Sequence, residues 1–96
     1  MKDSIHEYIL GEDPKLQTVL DSALESGDTI VIAIKDPNGT ISIDDASMSQ
    51  VTERVYQYIY STETTGVEGM YEATIKVTAS GNDDYDRIYF IMNAYS

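Results

Sequence analysis

Adjacent carboxylates are the residues of this sequence whose type and spacing come closest to a chemical site. Carboxylate oxygens are hard ligands that suit Ca²⁺ and Mg²⁺. Adjacent pairs occur at Glu12 and Asp13, Asp44 and Asp45, and Asp83 and Asp84. Asn82, Asp84 and Asp86 imitate the start of a calcium-binding loop, but Arg87 stands where that loop requires glycine. We therefore expect no dedicated metal site and no cofactor.

Nucleophilic catalysis finds no support among the other reactive side chains. The chain has no cysteine, and its one histidine, His6, has no second histidine to join it. A catalytic base must be held rigidly beside its partner. Neither a G-x-S-x-G elbow nor a glycine-rich phosphate loop occurs. We expect that the protein is not an enzyme.

The net charge narrows the choice of partner. Among 96 residues, 17 aspartates and glutamates face 6 lysines and arginines, which gives a formal net charge of −11. Such a surface repels nucleic acid and anionic membranes and attracts cationic proteins. Direct binding to nucleic acid or to a membrane is therefore disfavoured, and a basic protein is the expected partner.

Size and apolar content predict a single domain over residues 1–96. Apolar residues make up 42% of the chain, which is too many for a disordered protein. The acidic N-terminal residues do not form an export signal, and the lack of cysteine suits a reducing compartment. We therefore expect a cytoplasmic protein.

Three segments carry the spacing of helices. Ser4 and Ser47 each precede a Glu or Gln by three residues, as in a capping box, and a proline opens the second segment. Apolar residues recur at helical intervals in the second and third segments. These features predict a short helix over 4–10, an amphipathic helix over 14–26 and a third helix over about 47–61.

Alternating apolar and polar residues predict strands elsewhere. The segments are 29–35, 40–43, 70–79 and 87–95. Turn residues join them into two hairpins, and hairpins make antiparallel pairs. The order α(short)-α-β-β-α-β-β predicts an α+β fold, in which two amphipathic helices cover one face of a four-stranded, mainly antiparallel sheet.

This architecture divides the apolar residues between a core and an outer sheet face. The outer face is expected to carry Val31, Tyr89, Ile91 and Tyr95, which is enough apolar surface to pair two copies of the chain or to hold a partner. The expected core comprises Leu16, Val19, Leu20, Leu24, Ile30, Ile32, Ile34, Ile41, Ile43, Val51, Val55, Ile59, Ile75, Val77, Ile88 and Phe90.

The acidic residues of the second predicted helix stand where they reduce its stability. Asp21, Glu25 and Asp28 approach the end at which the helix dipole prefers cations. Screening by solvent would make this arrangement tolerable. The functional interpretation is that carboxylates on rigid elements replace the phosphates of DNA, so that a basic DNA-binding protein docks on them. The acids expected to bind this partner are Asp21, Glu25, Asp28, Asp44, Asp45, Glu53, Glu63, Glu68, Glu72, Asp83, Asp84 and Asp86.

Tyrosines add possible anchors to this acidic surface. Tyr56 and Tyr60 lie four residues apart on the flank of the third predicted helix, near Glu53 and Glu63. They are expected to contact the partner or to stack on its arginines. Tyrosine is also a good strand former, so its abundance alone does not require a binding role.

With these features the chain resembles the small acidic inhibitors that bacteriophages make early in infection, many of which are DNA mimics. The resemblance implies a protein that blocks a host DNA-binding protein in the host cytoplasm. A nucleoid-associated protein such as HU is the favoured target, and a restriction enzyme or a CRISPR effector is the alternative. The residues that carry it are Glu12, Asp13, Asp21, Glu25, Asp28, Asp44, Asp45, Glu68, Glu72 and the run Asp83, Asp84, Tyr85, Asp86.

Two other interpretations of the acidity stay open. In the first, the charge serves only solubility or adaptation to high salt, and no partner is needed. Alternatively, the chain is a general protein-interaction module that uses the face with Tyr89, Ile91 and Tyr95. Steep loss of partner affinity with rising salt would favour the acidic surface over the apolar face.

Overall fold

The computed structural model describes residues 5–95, and every regular element in this range is a β-strand. No segment of the described chain forms a helix that could span a membrane. The strands are β1 His6–Ile9, β2 Lys15–Val19, β3 Thr29–Lys35, β4 Ile41–Ser47, β5 Ser49–Thr52, β6 Val55–Ile59, β7 Gly69–Ala79 and β8 Asn82–Asn93.

The strands form two sheets that share one hydrophobic core. One sheet has five strands in the order β1-β8-β7-β3-β4, and the other has three in the order β2-β6-β5. β1 pairs with β8 in parallel, and all the other pairs are antiparallel. This order is that of an immunoglobulin-type sandwich whose larger sheet carries an added edge strand. Such a scaffold does not by itself indicate a function.

The alternation of β3 shows how the sequence forms the larger sheet. Ile30, Ile32 and Ile34 point into the core, and the intervening side chains point outward. β7 pairs with β8 from Gly69 to Ala79 without a register shift. These two strands make a long, regular hairpin whose turn is Ser80 and Gly81, both with positive φ.

The predicted α+β class is wrong, because the three helical segments are extended in the structure. Residues 6–9 form β1, while Ser4, the expected cap, lies outside the described residues. The segment 14–26 consists of β2 and a loop, and 47–61 contains β5 and β6. The four predicted strands are present as β3, β4, β7 and β8.

The error has a physical cause in the short apolar segments. Over about one helical turn, helical spacing and strand alternation can select the same residues. In β2, Leu16 and Thr18 are buried and their neighbours are exposed, which is a period of two. The segment 47–61 is also rich in valine, tyrosine, threonine and isoleucine, which prefer a pleated, half-buried surface.

An aromatic cluster fills the core between the two sheets. The rings of Tyr71 and Phe90 stack with centroids 5.3 Å apart, and Tyr60 packs against both. The hydroxyl of Tyr71 donates a hydrogen bond of 2.6 Å to the carbonyl of Val67, four residues upstream in the connection before β7. This is the tyrosine corner that immunoglobulin-type sandwiches use to fix the connection into this strand.

The observed core agrees with the predicted one mainly where the strands were recognised. Of the predicted residues, Leu16, Ile30, Ile32, Ile34, Ile75 and Phe90 are buried, and the part-buried ones are Leu20, Leu24, Ile43, Val55, Val77 and Ile88. Those that are exposed are Val19, Ile41, Val51 and Ile59, since strand alternation turns them outward. The prediction omitted Leu10, Met48, Tyr56, Tyr60, Tyr71, Ala73 and Met92, which are buried.

Candidate functional site

Two connections meet at one end of the sandwich and enclose a cleft. One is the loop 20–28, which follows β2, and the other is the end of the β7–β8 hairpin. The cleft has a volume of about 570 Å³. Its apolar lining includes Leu20, Leu24 and Val77. Its carboxylates are Asp21, Glu25, Asp28, Asp84 and Asp86.

Strand alternation explains why two of these acids point into the cleft. Ile88, Phe90 and Met92 occupy the inward-facing positions of β8. Asp84 and Asp86 continue the same series at intervals of two residues. β2 ends at Val19, so this part of the hairpin is covered by the loop instead of a strand. The acids therefore lie on the inner face of the sheet but remain exposed.

Hydrogen bonds position the carboxylates of Asp28 and Asp86. The Asp28 carboxylate accepts a bond of 2.8 Å from the backbone N–H of Glu25, and the N–H of Asp28 donates 2.9 Å to the Glu25 carbonyl. The Thr18 hydroxyl, which is buried, donates to the Asp86 carboxylate at 3.4 Å. One loop acid, Asp28, is thus positioned by bonds within the loop, and one strand acid, Asp86, by a bond between the two sheets.

Arg54 contacts the backbone beside the cleft but forms no ion pair with a cleft carboxylate in the described chain. The guanidinium of Arg54, in the turn between β5 and β6, donates to the backbone carbonyls of Leu20 at 3.4 Å and Asp21 at 3.3 Å. No Lys, Arg or His lines the cleft in the described part of the chain. Within residues 5–95 the one ion pair joins Arg87 to Glu72 at 3.1 Å. Among the described residues, the cleft carboxylates are therefore not neutralised by ion pairs.

The other predicted partner-binding acids do not join this cleft. Asp44 and Asp45 lie on β4, at the far edge of the larger sheet, and Asp83 lies on β8, where it accepts a hydrogen bond from Thr78 at 2.7 Å. Glu53 is in the β5–β6 turn, at the end of the sandwich that holds the cleft. Glu63 and Glu68 are at the opposite end, in the connection before β7. Glu72 lies on β7 and is paired with Arg87 of β8.

Tyr56 and Tyr60 are not surface anchors. Their exposed fractions are 8% and 9%, because both point from β6 and its continuation into the core. The hydroxyl of Tyr60 donates to the Ser42 hydroxyl at 3.1 Å. The flank position expected for them depended on a helix that does not exist.

The predicted apolar face is interrupted by charged groups. Val31 and Ile91 are half-buried, and Tyr89 and Tyr95 are exposed. In the sheet register Val31 pairs with Lys76, and Tyr89 pairs with Glu72, whose carboxylate binds Arg87. The charged side chains thus lie among the apolar ones across the strands.

The cleft carboxylates are not arranged as a metal site. Among residues 5–95, no group of three or more His, Asp or Glu side chains is placed to hold a metal ion. His6 is exposed on β1, and its ring stacks near that of Tyr8 at a centroid distance of 6.4 Å.

No protein-family model matches this sequence, and no curated protein matches it significantly. The functional argument therefore rests on the geometry of the cleft.

Proposed function

We propose that this chain is a binding module whose cleft carboxylates dock on the basic surface of a DNA-binding protein and compete with DNA for it. The observation that carries the proposal is the convergence of two distant acidic segments. Asp21, Glu25 and Asp28 on the loop share one cleft with Asp84 and Asp86 on β8, and no cation lines that cleft in the described chain.

The physical basis is a concentrated negative potential on a firm support. The carboxylates of Asp28 and Asp86 already accept hydrogen bonds, so they lose little side-chain freedom when they meet a cation. The net charge of −11 adds a long-range field that speeds the approach of a basic protein. Mimicry of DNA then rests on a loop and a strand end, and not on the helical row of acids that the sequence had suggested.

The partner class follows from the same chemistry. DNA-binding proteins carry dense lysine and arginine surfaces that otherwise contact phosphates. A nucleoid-associated protein such as HU is the favoured target, and a restriction enzyme or CRISPR effector is the alternative. Such a target places the chain in the cytoplasm, and in that of the host if a bacteriophage encodes it.

A test should separate the cleft from acidity in general. The cleft variant Asp84→Asn with Asp86→Asn is compared with the control Glu63→Gln with Glu68→Gln, which removes the same charge at the other end of the sandwich. Each protein is titrated into HU bound to labelled duplex DNA. We expect the native chain to release the DNA, the cleft variant to need about tenfold more protein, and the control to act like the native chain.

The salt dependence of DNA release and the comparison with the control variant can each contradict the proposal. Release by the native chain should weaken steeply as salt rises, since the contacts are between charges. Equal losses in both variants would mean that diffuse charge and not the cleft binds the partner. Absence of release at any concentration from HU, a restriction enzyme and a CRISPR effector would reject the competition with DNA.

Docking through the outer sheet face is the competing function. It is less well supported, because Lys76, Glu72 and Arg87 divide the apolar side chains of that face. Affinity that survives the cleft variant but is lost in Tyr89→Ser would favour it.

A further inference from the structure

The strand β8 has a long edge without a partner strand in the described chain. β7 pairs with β8 from Asn82 to Met92, whereas β1 pairs only with the segment from Phe90 to Asn93 on the other side. Among residues 5–95, nothing pairs with the outer side of the stretch 82–89. An unpaired edge presents backbone N–H and C=O groups to which another strand can bond.

The direction of these groups follows from one bond near the end of the strand. The carbonyl of Asn93 accepts from the N–H of Leu10 at 2.9 Å, so Asn93 directs its backbone groups toward the β1 side. In an antiparallel ladder both groups of a residue point to one side, and the side alternates along the strand. Because β8 has no register shift against β7, Asp83, Tyr85, Arg87 and Tyr89 direct theirs toward the unpaired edge.

The edges of β4, β5 and β2 carry features that discourage pairing. β4 is irregular against β3 and contains Asp45 with φ of 51°. β5 has 4 residues with a register shift, and β2 has 5 residues. Short or bulged edges are poor templates for an added strand. The β8 stretch is by comparison long and regular.

A groove runs beside this edge, between β8 and β2. Its volume is about 870 Å³, with Leu16 and Phe90 in its lining and Lys15, Asp86 and Arg87 among the polar residues. Alternate side chains of an added strand would point toward this groove. An added strand could therefore form backbone hydrogen bonds with β8 and place its alternate side chains in the groove.

We propose that an extended, basic segment of the partner protein adds to the 82–89 edge of β8 as an extra β-strand. The inference rests on the proposed function, because the same partner supplies the segment. Its basic character follows from Asp83, Asp84 and Asp86 along the stretch. They face two cations, Lys15 across the groove and Arg87, and Glu72 already engages Arg87. A second copy of this chain would bring the same acids together and is disfavoured by repulsion.

The test uses a synthetic peptide of alternating lysine and valine, together with paired variants at Tyr85. Tyr85→Pro removes a backbone N–H that points to the edge, whereas Tyr85→Thr removes the same ring and keeps the N–H. We expect the peptide to bind Tyr85→Thr like the native chain and Tyr85→Pro about tenfold more weakly, since an edge hydrogen bond is lost and the proline ring obstructs the added strand.

The peptide itself provides a second measurement that does not depend on folding of a variant. Two methylated peptides are compared, one carrying N-methyl groups at the odd-numbered residues and the other at the even-numbered residues. Methylation of the amides that face β8 should abolish binding, and methylation of the amides that face away from it should not. Hydrogen exchange at the Tyr85 and Arg87 amides should slow on binding to the native chain. Equal binding of both methylated peptides, or unchanged exchange at these amides, would overturn strand addition.

Further outcomes concern the identity of the occupant. Equal binding of a glutamate and valine peptide would refute the basic character. Dimerisation that Tyr85→Pro abolishes would show that a second copy occupies the edge. A rise in peptide affinity of about tenfold on removing residues 1–4 would show that the chain closes its own edge, which also overturns the proposal.

Release of DNA from HU distinguishes failure of strand addition from failure of the proposed function. If HU loses its DNA to the native chain and to Tyr85→Pro equally, but not to the Asp84→Asn with Asp86→Asn variant, the cleft function stands and strand addition is wrong. If the native chain releases no DNA at all, the proposed function is wrong.

Discussion

At the scale of single residues, the Tyr71 hydroxyl connects the packing of the core to the path of the chain. Its ring stacks on Phe90, and its hydroxyl donates to the Val67 carbonyl in the connection before β7. Burial raises the pKa of Tyr71 above its ordinary value of 10.0, and the neighbouring Tyr60 and Asp36 act in the same direction. Nothing in the sequence distinguishes this tyrosine from its neighbours, because the bond depends on a turn that only the folded chain forms.

The substitution Tyr71→Phe should lower the free energy of unfolding by about 1 kcal/mol at pH 7, because it removes one hydrogen bond to a buried group. Because the pKa of Tyr71 is raised in the folded state, the contribution of its hydroxyl to the free energy of unfolding is complete below pH 10. That contribution is lost as the pH rises through the folded-state pKa. The stability difference from the native chain should therefore shrink in alkali. Urea unfolding at several pH values measures it, with the exposed Tyr85→Phe as control. A difference that grows with pH would contradict this account.

At the scale of elements, the sequence predicted strands where alternation was long and failed where apolar segments were short. β3 and β7 were recognisable from their period of two, whereas β2 and β6 matched a helical stripe equally well. The inward direction of two cleft acids could have been predicted from the same alternation. Asp84 and Asp86 are in phase with Ile88, so a single strand over 82–93 already turns them inward. Their approach to the loop 20–28 depends on tertiary contacts and was not predictable.

The junction between the β3–β4 turn and β7 gives a prediction at this scale. Gly69 has φ of 127°, and a Cβ added there would lie 2.9 Å from the Pro37 ring, whereas Gly39 has φ of 89° with open space around it. Both alanine substitutions strain the backbone by about 1 to 3 kcal/mol. Gly69→Ala should cost more stability than Gly39→Ala in urea unfolding, because it adds a clash. Equal losses would show that Pro37 moves aside freely.

At the scale of the whole molecule, one excess of charge acts in two opposite ways. Repulsion among the acids opposes the folded state, and the same acids attract a basic partner. The extents of 45 × 28 × 22 Å place both ends of the sandwich several Debye lengths apart at physiological salt, where that length is about 8 Å. Charge at one end therefore has little effect on binding at the other, which justifies the matched variants at the two ends.

Rising salt should consequently raise the thermal unfolding temperature while it weakens binding to the basic partner. Screening relieves the internal repulsion and also the attraction between the two proteins. The variant Asp84→Asn with Asp86→Asn should be more stable than the native chain in dilute buffer and less sensitive to salt. Thermal unfolding over a salt series measures both effects. A fall in the unfolding temperature with added sodium chloride would contradict them.

The parallel pairing of β1 with β8 also constrains how the chain acquires its structure. β1 obtains its neighbour in the sheet only when the last strand is present, and Leu10 then bonds to Asn93. On a translating ribosome the first strand must therefore wait for almost the whole domain to emerge. Because such distant closures are slow, the pairing of β1 with β8 should be a late step in the folding of this sandwich.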